Sequence, residues 1–159
     1  YLKKLDTYDF GIFYFAGHGQ ENEEGDSYLV PIDYSLDDPP DFLVKNLILE
    51  SEISKKKCLV ILDACRDIIQ EGFRKPSFLR GDPLYVKLAY STSTGRKAFE
   101  YKELSNSLYT TFLAAQIQIK HLTIQNILEE VQFQILKMTD DEQYPIDYYG
   151  GKINRVKLQ

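Results

Sequence analysis

Two short, unbroken apolar runs dominate the hydrophobic pattern, residues 10–16 (FGIFYFA) and residues 58–62 (CLVIL). Both are rich in β-branched and aromatic residues and end in small or polar ones. That continuity predicts central strands buried on both faces, as in a parallel α/β sheet. A third run, residues 85–90, stops at Ser91, Thr92 and Ser93 and predicts another strand. Residues 28–32 alternate weakly ahead of Asp33, the pattern of a short edge or hairpin strand. The helical period is clearest after Thr123, where Ile124, Ile127, Leu128, Val131, Ile135 and Met138 recur on one side with Thr123 as N-cap. A second helix is expected from near Ser105 or Asn106, burying Leu108, Phe112 and Leu113, and a third over residues 43–53. Residues 37–41 and 69–82 read as surface loops. Strand, helix, strand, loop, strand, helix, helix is an α/β order.

Composition narrows the class. The chain has 159 residues, 43% hydrophobic, enough for one domain with an ordinary core. Its net charge is −5 with basic residues scattered among acidic ones, which argues against nucleic acid or an anionic membrane as partner. No apolar run approaches the ~18 residues that span a bilayer, and residues 1–9 lack the apolar core of a signal peptide, so a soluble cytoplasmic protein is expected. Cys58 and Cys65 lie at opposite ends of one strand, too far apart to be bridged, which predicts free thiols in a reducing compartment.

The candidate chemistry follows the strand ends. In an open parallel sheet, catalytic groups gather where strands run out at their carboxyl ends. The first strand runs into Ala16-Gly17-His18-Gly19-Gln20, where the flanking glycines are expected to let the backbone turn tightly. The second runs into Asp63-Ala64-Cys65-Arg66-Asp67. If the strands are neighbours, His18 and Cys65 emerge side by side, as a Cys/His pair requires. Chemistry alone leaves two readings open: a catalytic pair, or a hydrogen-bonding loop histidine beside a small buried cysteine. Cys58 and His121 take structural roles. A zinc site would need three or four ligands, and the one further Cys and one further His are badly placed for it. Gly17 and Gly19 lack the glycine, lysine and hydroxyl spacing of a phosphate loop. No metal or cofactor is expected.

Four ordered segments resemble the superfamily of caspases, metacaspases and paracaspases: Phe13-Tyr14-Phe15-Ala16-Gly17-His18-Gly19, Tyr28-Leu29-Val30-Pro31-Ile32-Asp33, Val60-Ile61-Leu62-Asp63-Ala64-Cys65-Arg66, and Ala89-Tyr90-Ser91-Thr92. Their order and spacing match the family over residues 9–115. The resemblance implies a caspase-like three-layer sandwich with a mostly parallel central sheet, in which Cys65 attacks the peptide carbonyl and His18 protonates the leaving amine. It places the oxyanion hole at the backbone N–H groups of Gly19 and Cys65.

The resemblance also bears on specificity. Caspases that cut after aspartate carry Gln two residues before the nucleophile, where this chain has Asp63, and an Arg whose ungapped counterpart here is Glu100. Two carboxylates in that pocket favour a basic residue before the cut. One buried charge about 4 Å from a substrate cation is worth roughly 4 kcal/mol at an effective dielectric near 20, or about a thousandfold in preference. Cleavage after Arg, and less favourably Lys, is therefore expected, with Arg preferred because it pairs bidentately. Acids at these two places make the pattern most similar to paracaspases. Lys97 stands near enough in sequence to offset Glu100.

The family's initial strand, helix and strand have no counterpart here, so residues 1–159 read as an N-terminally incomplete caspase-like peptidase domain. Arg74, Lys75 and Arg80 are candidate self-cleavage sites. Residues 143–149 occupy the place of the strand through which the family pairs, which suggests a homodimer. Besides a peptidase for protein substrates, the alternative is a caspase-fold signalling scaffold whose activity is weak or conditional.

Overall fold

A computed structural model describes residues 8–22, 26–31, 42–44, 56–68 and 85–158. The described residues form a seven-stranded sheet and two helices: β1 (Gly11–Glu21), β2 (Ser27–Val30), β3 (Phe42–Leu43), β4 (Cys58–Ala64), β5 (Asp67–Ile68), β6 (Val86–Tyr90), α1 (Leu108–Ile117), α2 (Ile124–Met138) and β7 (Ile146–Tyr149). The sheet runs β3-β2-β1-β4-β6-β7, with β5 pairing β1 beyond the end of β4. Pairings of β1 with β4, β1 with β5 and β4 with β6 are parallel, whereas β2, β3 and β7 join antiparallel. The fold class is the caspase-like α/β one expected. The helix expected over residues 43–53, the loops at 37–41 and 69–82 and the cleavage sites Arg74, Lys75 and Arg80 lie at or beyond the edges of the described residues.

β4 answers to its sequence: every side chain is buried, because β1 and β6 flank it and both faces are covered. Leu59 and Ile61 enter a cluster with Leu108, Tyr109 and Leu113 of α1 and Ile124, Ile127, Leu128, Val131 and Ile135 of α2. Cys58, Val60 and Leu62 point the other way, with Val86, Leu88 and Tyr90 of β6. This alternation is the period-two geometry of a strand, and it assigns each residue beyond Leu62 to a face. Burial pushes the Cys58 thiol up to about 11, partly offset by a backbone hydrogen bond from Phe13. At neutral pH that thiol stays protonated and unreactive, so it plays the structural part expected of it.

β1 departs from expectation in two ways. It is central by position but half-buried by exposure, with Tyr14 44% exposed, because the helices lie chiefly over β4 and β6. It also continues to Glu21, so His18 stands within the strand and not in a tight turn after it. The added pairing with β2 and β5 holds the chain extended past the glycines. Residues 27–30 are the hairpin partner of β1, paired along their far edge with β3.

Thr123 caps α2 as expected, whereas α1 starts slightly later than expected, at Leu108, because Ser107 is its N-cap. Ser107 accepts the Thr110 N–H at 3.0 Å and Thr123 accepts the Asn126 N–H at 3.2 Å, each worth about 1 kcal/mol. Met138, expected in the core, is 54% exposed; it is the last residue of α2. His121 sits in the turn between the helices with φ 69°, and is exposed. After β7 the chain turns back at Gly150, where φ is 80° and a Cβ would lie 2.7 Å from Lys87 Cδ, so glycine is required. Ile153 then completes the helix-side core.

Candidate active site

The parallel register between β1 and β4 ends at Gly17 opposite Ala64 and resumes, unshifted, at Gln20 opposite Asp67 of β5. By the same offset His18 falls opposite Cys65 within the interruption, flanked on both sides by paired strands about 4.8 Å apart. Both continue the face on which Leu59, Ile61 and Asp63 lie, the face covered by the helices. The sheet thus brings the two residues together at its carboxyl end. His18 is exposed and Cys65 is half-buried and free, so each is accessible.

Gly19 makes the approach possible. A Cβ at this position would lie 2.6 Å from the Cys65 carbonyl oxygen and 3.1 Å from Ala64 Cβ, both fixed atoms. Glycine serves here for close contact between two backbones, not for a turn. Its N–H and that of Cys65 belong to these two touching segments.

Asp63 is 5% exposed and belongs to a hydroxyl network at the start of α1. Ser107 Oγ donates to Asp63 Oδ2, and Thr110 Oγ1 donates to the same oxygen at 2.6 Å. The Tyr14 hydroxyl lies 2.6 Å from Thr110 Oγ1 and, since that group's proton is given to Asp63, acts as donor. Burial raises the Tyr14 phenol above its usual range, with the Asp63 charge adding to the effect. Tyr109, buried beneath, is raised further, by burial first and then by Asp63. Positioned beside a helix N-terminus, the carboxylate also faces the positive end of the helix dipole.

Glu100 is exposed and has no polar partner among the described residues; Lys97 forms no ion pair with it there. Its neighbours Phe99 and Tyr101 stack with centroids 6.3 Å apart and pack on the helix-side core, leaving the acid outside. The Leu108 N–H donates to the Phe99 carbonyl at 3.1 Å. Asp63 is tied to the first residues of α1 by its side chain, whereas Glu100 only follows a residue whose carbonyl is held there, and no bond joins the two acids.

On the opposite face, Arg66 and Glu21 form a buried ion pair, 2.5 Å from Nη2 to Oε2 and 2.8 Å from Nε to the same oxygen. Thr94 Oγ1 donates to both Glu21 oxygens, at 3.1 and 3.2 Å, and the guanidinium lies 4.1 Å over the Tyr90 ring. Burial pushes the Tyr90 phenol up to about 12, which Arg66 and a bond to Ser27 partly oppose. The residue after Cys65 is thereby fastened to the residue three after His18.

Sequence patterns did not reveal this pairing, nor the roles of Tyr14, Ser107 and Thr110. The capping position of Ser107 was the one available signal.

A caspase-domain family model matches residues 1–149. The chain belongs to the caspase-domain family. Among curated proteins it is 30% identical over 145 residues to human (Homo sapiens) mucosa-associated lymphoid tissue lymphoma translocation protein 1, and equally to the mouse (Mus musculus) homolog. Each match covers 82% of this chain but 16% of the relative, so the chain spans about a sixth of their length. The resemblance drawn from the four ordered motifs holds at the family level. His18, within β1, and Cys65, just after β4, belong to the two strands that the motifs named.

Thiol chemistry separates the two cysteines. Native protein is expected to take up one equivalent of iodoacetamide at pH 7.5, at Cys65, and a second only after unfolding exposes Cys58. Peptide mapping of the alkylated chain checks this; labelling at Cys58 first would contradict the assignment.

Proposed function

We propose that this caspase domain is a cysteine endopeptidase that hydrolyses protein substrates after Arg, or less readily Lys. The observation that carries the reading is the unshifted register that sets His18 across from Cys65. In this reading Cys65 gives its thiol proton to His18, its Sγ attacks the scissile carbonyl, and the oxyanion is held by the N–H groups of Gly19 and Cys65. The tetrahedral intermediate collapses to a thioester as His18 gives its proton to the leaving amine. Water, activated by His18, then releases the acid and restores the thiol.

Asp63 and Glu100 are the proposed contacts for the substrate cation. A guanidinium entering the pocket exchanges the Ser107 and Thr110 hydroxyls for charged donors, which bind a carboxylate more strongly. The reading needs no metal or cofactor. The free thiols fit a reducing, cytoplasmic setting. No helix among the described residues is long and apolar enough to cross a membrane.

Pairing of two copies through β7 is part of the proposal. Among the described residues β7 ends the strand order, with β6 as its neighbour in the sheet, and an edge strand offers unpaired backbone groups to a second chain.

The decisive experiment presents matched fluorogenic peptides ending in Arg, Lys or Asp to the full-length protein over a concentration series, alongside Cys65→Ala. Turnover is expected to fall at least about a thousandfold in the variant. Equal turnover by Cys65→Ala ends the nucleophile assignment, and a preference for Asp ends the pocket assignment.

A further inference from the structure

The loop 91–100 links the end of β6 to the segment carrying Glu100, and its attachment points converge on one short turn. At its start, the Ser91 N–H donates to the Leu62 carbonyl at 2.9 Å, and Ser91 Oγ reaches the Ala64 carbonyl at 3.4 Å. Ser91 thus touches the strand end immediately before Cys65. At the other end, Phe99 precedes Glu100.

The side chain of Gln143, 0% exposed, joins these two ends. Its Nε2 donates to the Ser91 carbonyl at 2.8 Å, and its Oε1 accepts the Phe99 N–H at 2.9 Å. Its own N–H donates to Thr139 Oγ1 at 3.1 Å, which donates to the Ile135 carbonyl and so anchors the turn to α2. Between the two ends, Arg96 Nη1 donates to the carbonyls of Asp141 and Glu142, and its guanidinium stands 5.8 Å over the Tyr144 ring. Asp140 and Asp141 hold left-handed backbone, with φ of 46° and 62°, so the turn has a defined shape.

A buried amide with one donor and one acceptor at its tip can satisfy a carbonyl and an N–H at once. A carboxylate would offer only the acceptor, and a thioether neither in useful strength. We propose that Gln143 is a positioning residue that holds the loop 91–100 against the nucleophile strand and thereby sets where Glu100 stands. This rests on the reading that Glu100 contacts the substrate cation. Gln143 itself acts through Ser91 and Phe99 and touches no substrate.

Amide hydrogen exchange on the full-length protein tests the positioning without relying on turnover. In Gln143→Met, both ends are released: the Phe99 amide loses its acceptor and is expected to exchange about tenfold faster, the loss of roughly one net hydrogen bond. Amides of Cys58–Ala64 keep their protection. In Gln143→Glu the acceptor survives, so the Phe99 amide stays protected, while loss of the bond to the Ser91 carbonyl loosens the start of the loop and the Ser91 amide, whose own acceptor is the Leu62 carbonyl, exchanges modestly faster. This contrast also holds the test open should the methionine variant fail to fold.

For turnover, the ratio of kcat/KM for a peptide ending in Arg over one ending in citrulline, its neutral isostere, is expected to fall about tenfold in Gln143→Met, while the rate of Cys65 alkylation stays unchanged. Unchanged exchange at Phe99 in Gln143→Met, or at Ser91 in Gln143→Glu, overturns the proposal. A parallel loss of Arg turnover, citrulline turnover and Cys65 alkylation also overturns it, reducing Gln143 to a structural residue. If the wild type shows no Arg preference, the reading of Glu100 fails by itself, and the exchange pattern still decides Gln143.

Discussion

Replacing Arg66 with methionine is expected to destabilise the folded chain by about 3–5 kcal/mol, because it takes the bidentate guanidinium away from the buried Glu21 carboxylate. Glu21 is 4% exposed and Thr94 supplies only a neutral hydroxyl, which cannot replace a guanidinium. Removing both charges together, as Glu21→Leu with Arg66→Met, is expected to recover most of the loss. A well-packed apolar pair of similar volume often matches a buried ion pair. Urea unfolding of the two singles and the double measures the coupling directly. If the double is as unstable as the sum of the singles, the ion pair is not the link between these residues. Since Arg66 follows Cys65 and Glu21 follows His18 by three residues, the same variants are expected to loosen the segments that carry the proposed catalytic pair.

This ion pair marks where the sequence stopped being legible. The strands 10–16 and 58–62 were readable because a short, unbroken apolar run bounded by polar residues suits a sheet strand better than a helix. His18 and Cys65 were readable because they sit where those runs end. Arg66 and Glu21 lie 45 residues apart, on strands whose neighbourhood is known only once the register is known. A charged residue beside an apolar run looks solvated, yet the strand's alternation turns Arg66 inward toward Tyr90. The extension of β1 through Gly17-His18-Gly19 was hidden for a similar reason. Glycine signals a turn in isolation, and only the approach of Cys65 to Gly19 shows that here it permits contact.

Gln143 was equally silent, since an amide's role depends on which backbone groups surround it. The burial of β1 was over-read: continuous apolarity predicted cover on both faces, but the helices follow β4 and β6. That uncovered stretch leaves His18 accessible at the end of the sheet.

Asp63→Asn isolates charge from shape at the proposed pocket. The asparagine keeps an oxygen for the Ser107 and Thr110 hydroxyls, so α1 remains anchored and thermal stability is expected to change little. What disappears is the negative charge. At about 4 Å from a substrate guanidinium that charge is worth roughly 4 kcal/mol at an effective dielectric near 20. The preference for Arg over citrulline is therefore expected to fall by up to about a thousandfold, with Glu100 retaining a smaller share because it is exposed to solvent. Asp63→Ala removes the oxygen as well and leaves two hydroxyls short of an acceptor, adding a stability loss of about 1–3 kcal/mol that the asparagine variant does not show. Kinetics with both peptides, normalised to the Cys65 thiol titrated in each preparation, separates the effects. Should Asp63→Asn keep the wild-type ratio, the carboxylate serves the start of α1 alone, and the substrate cation is recognised elsewhere.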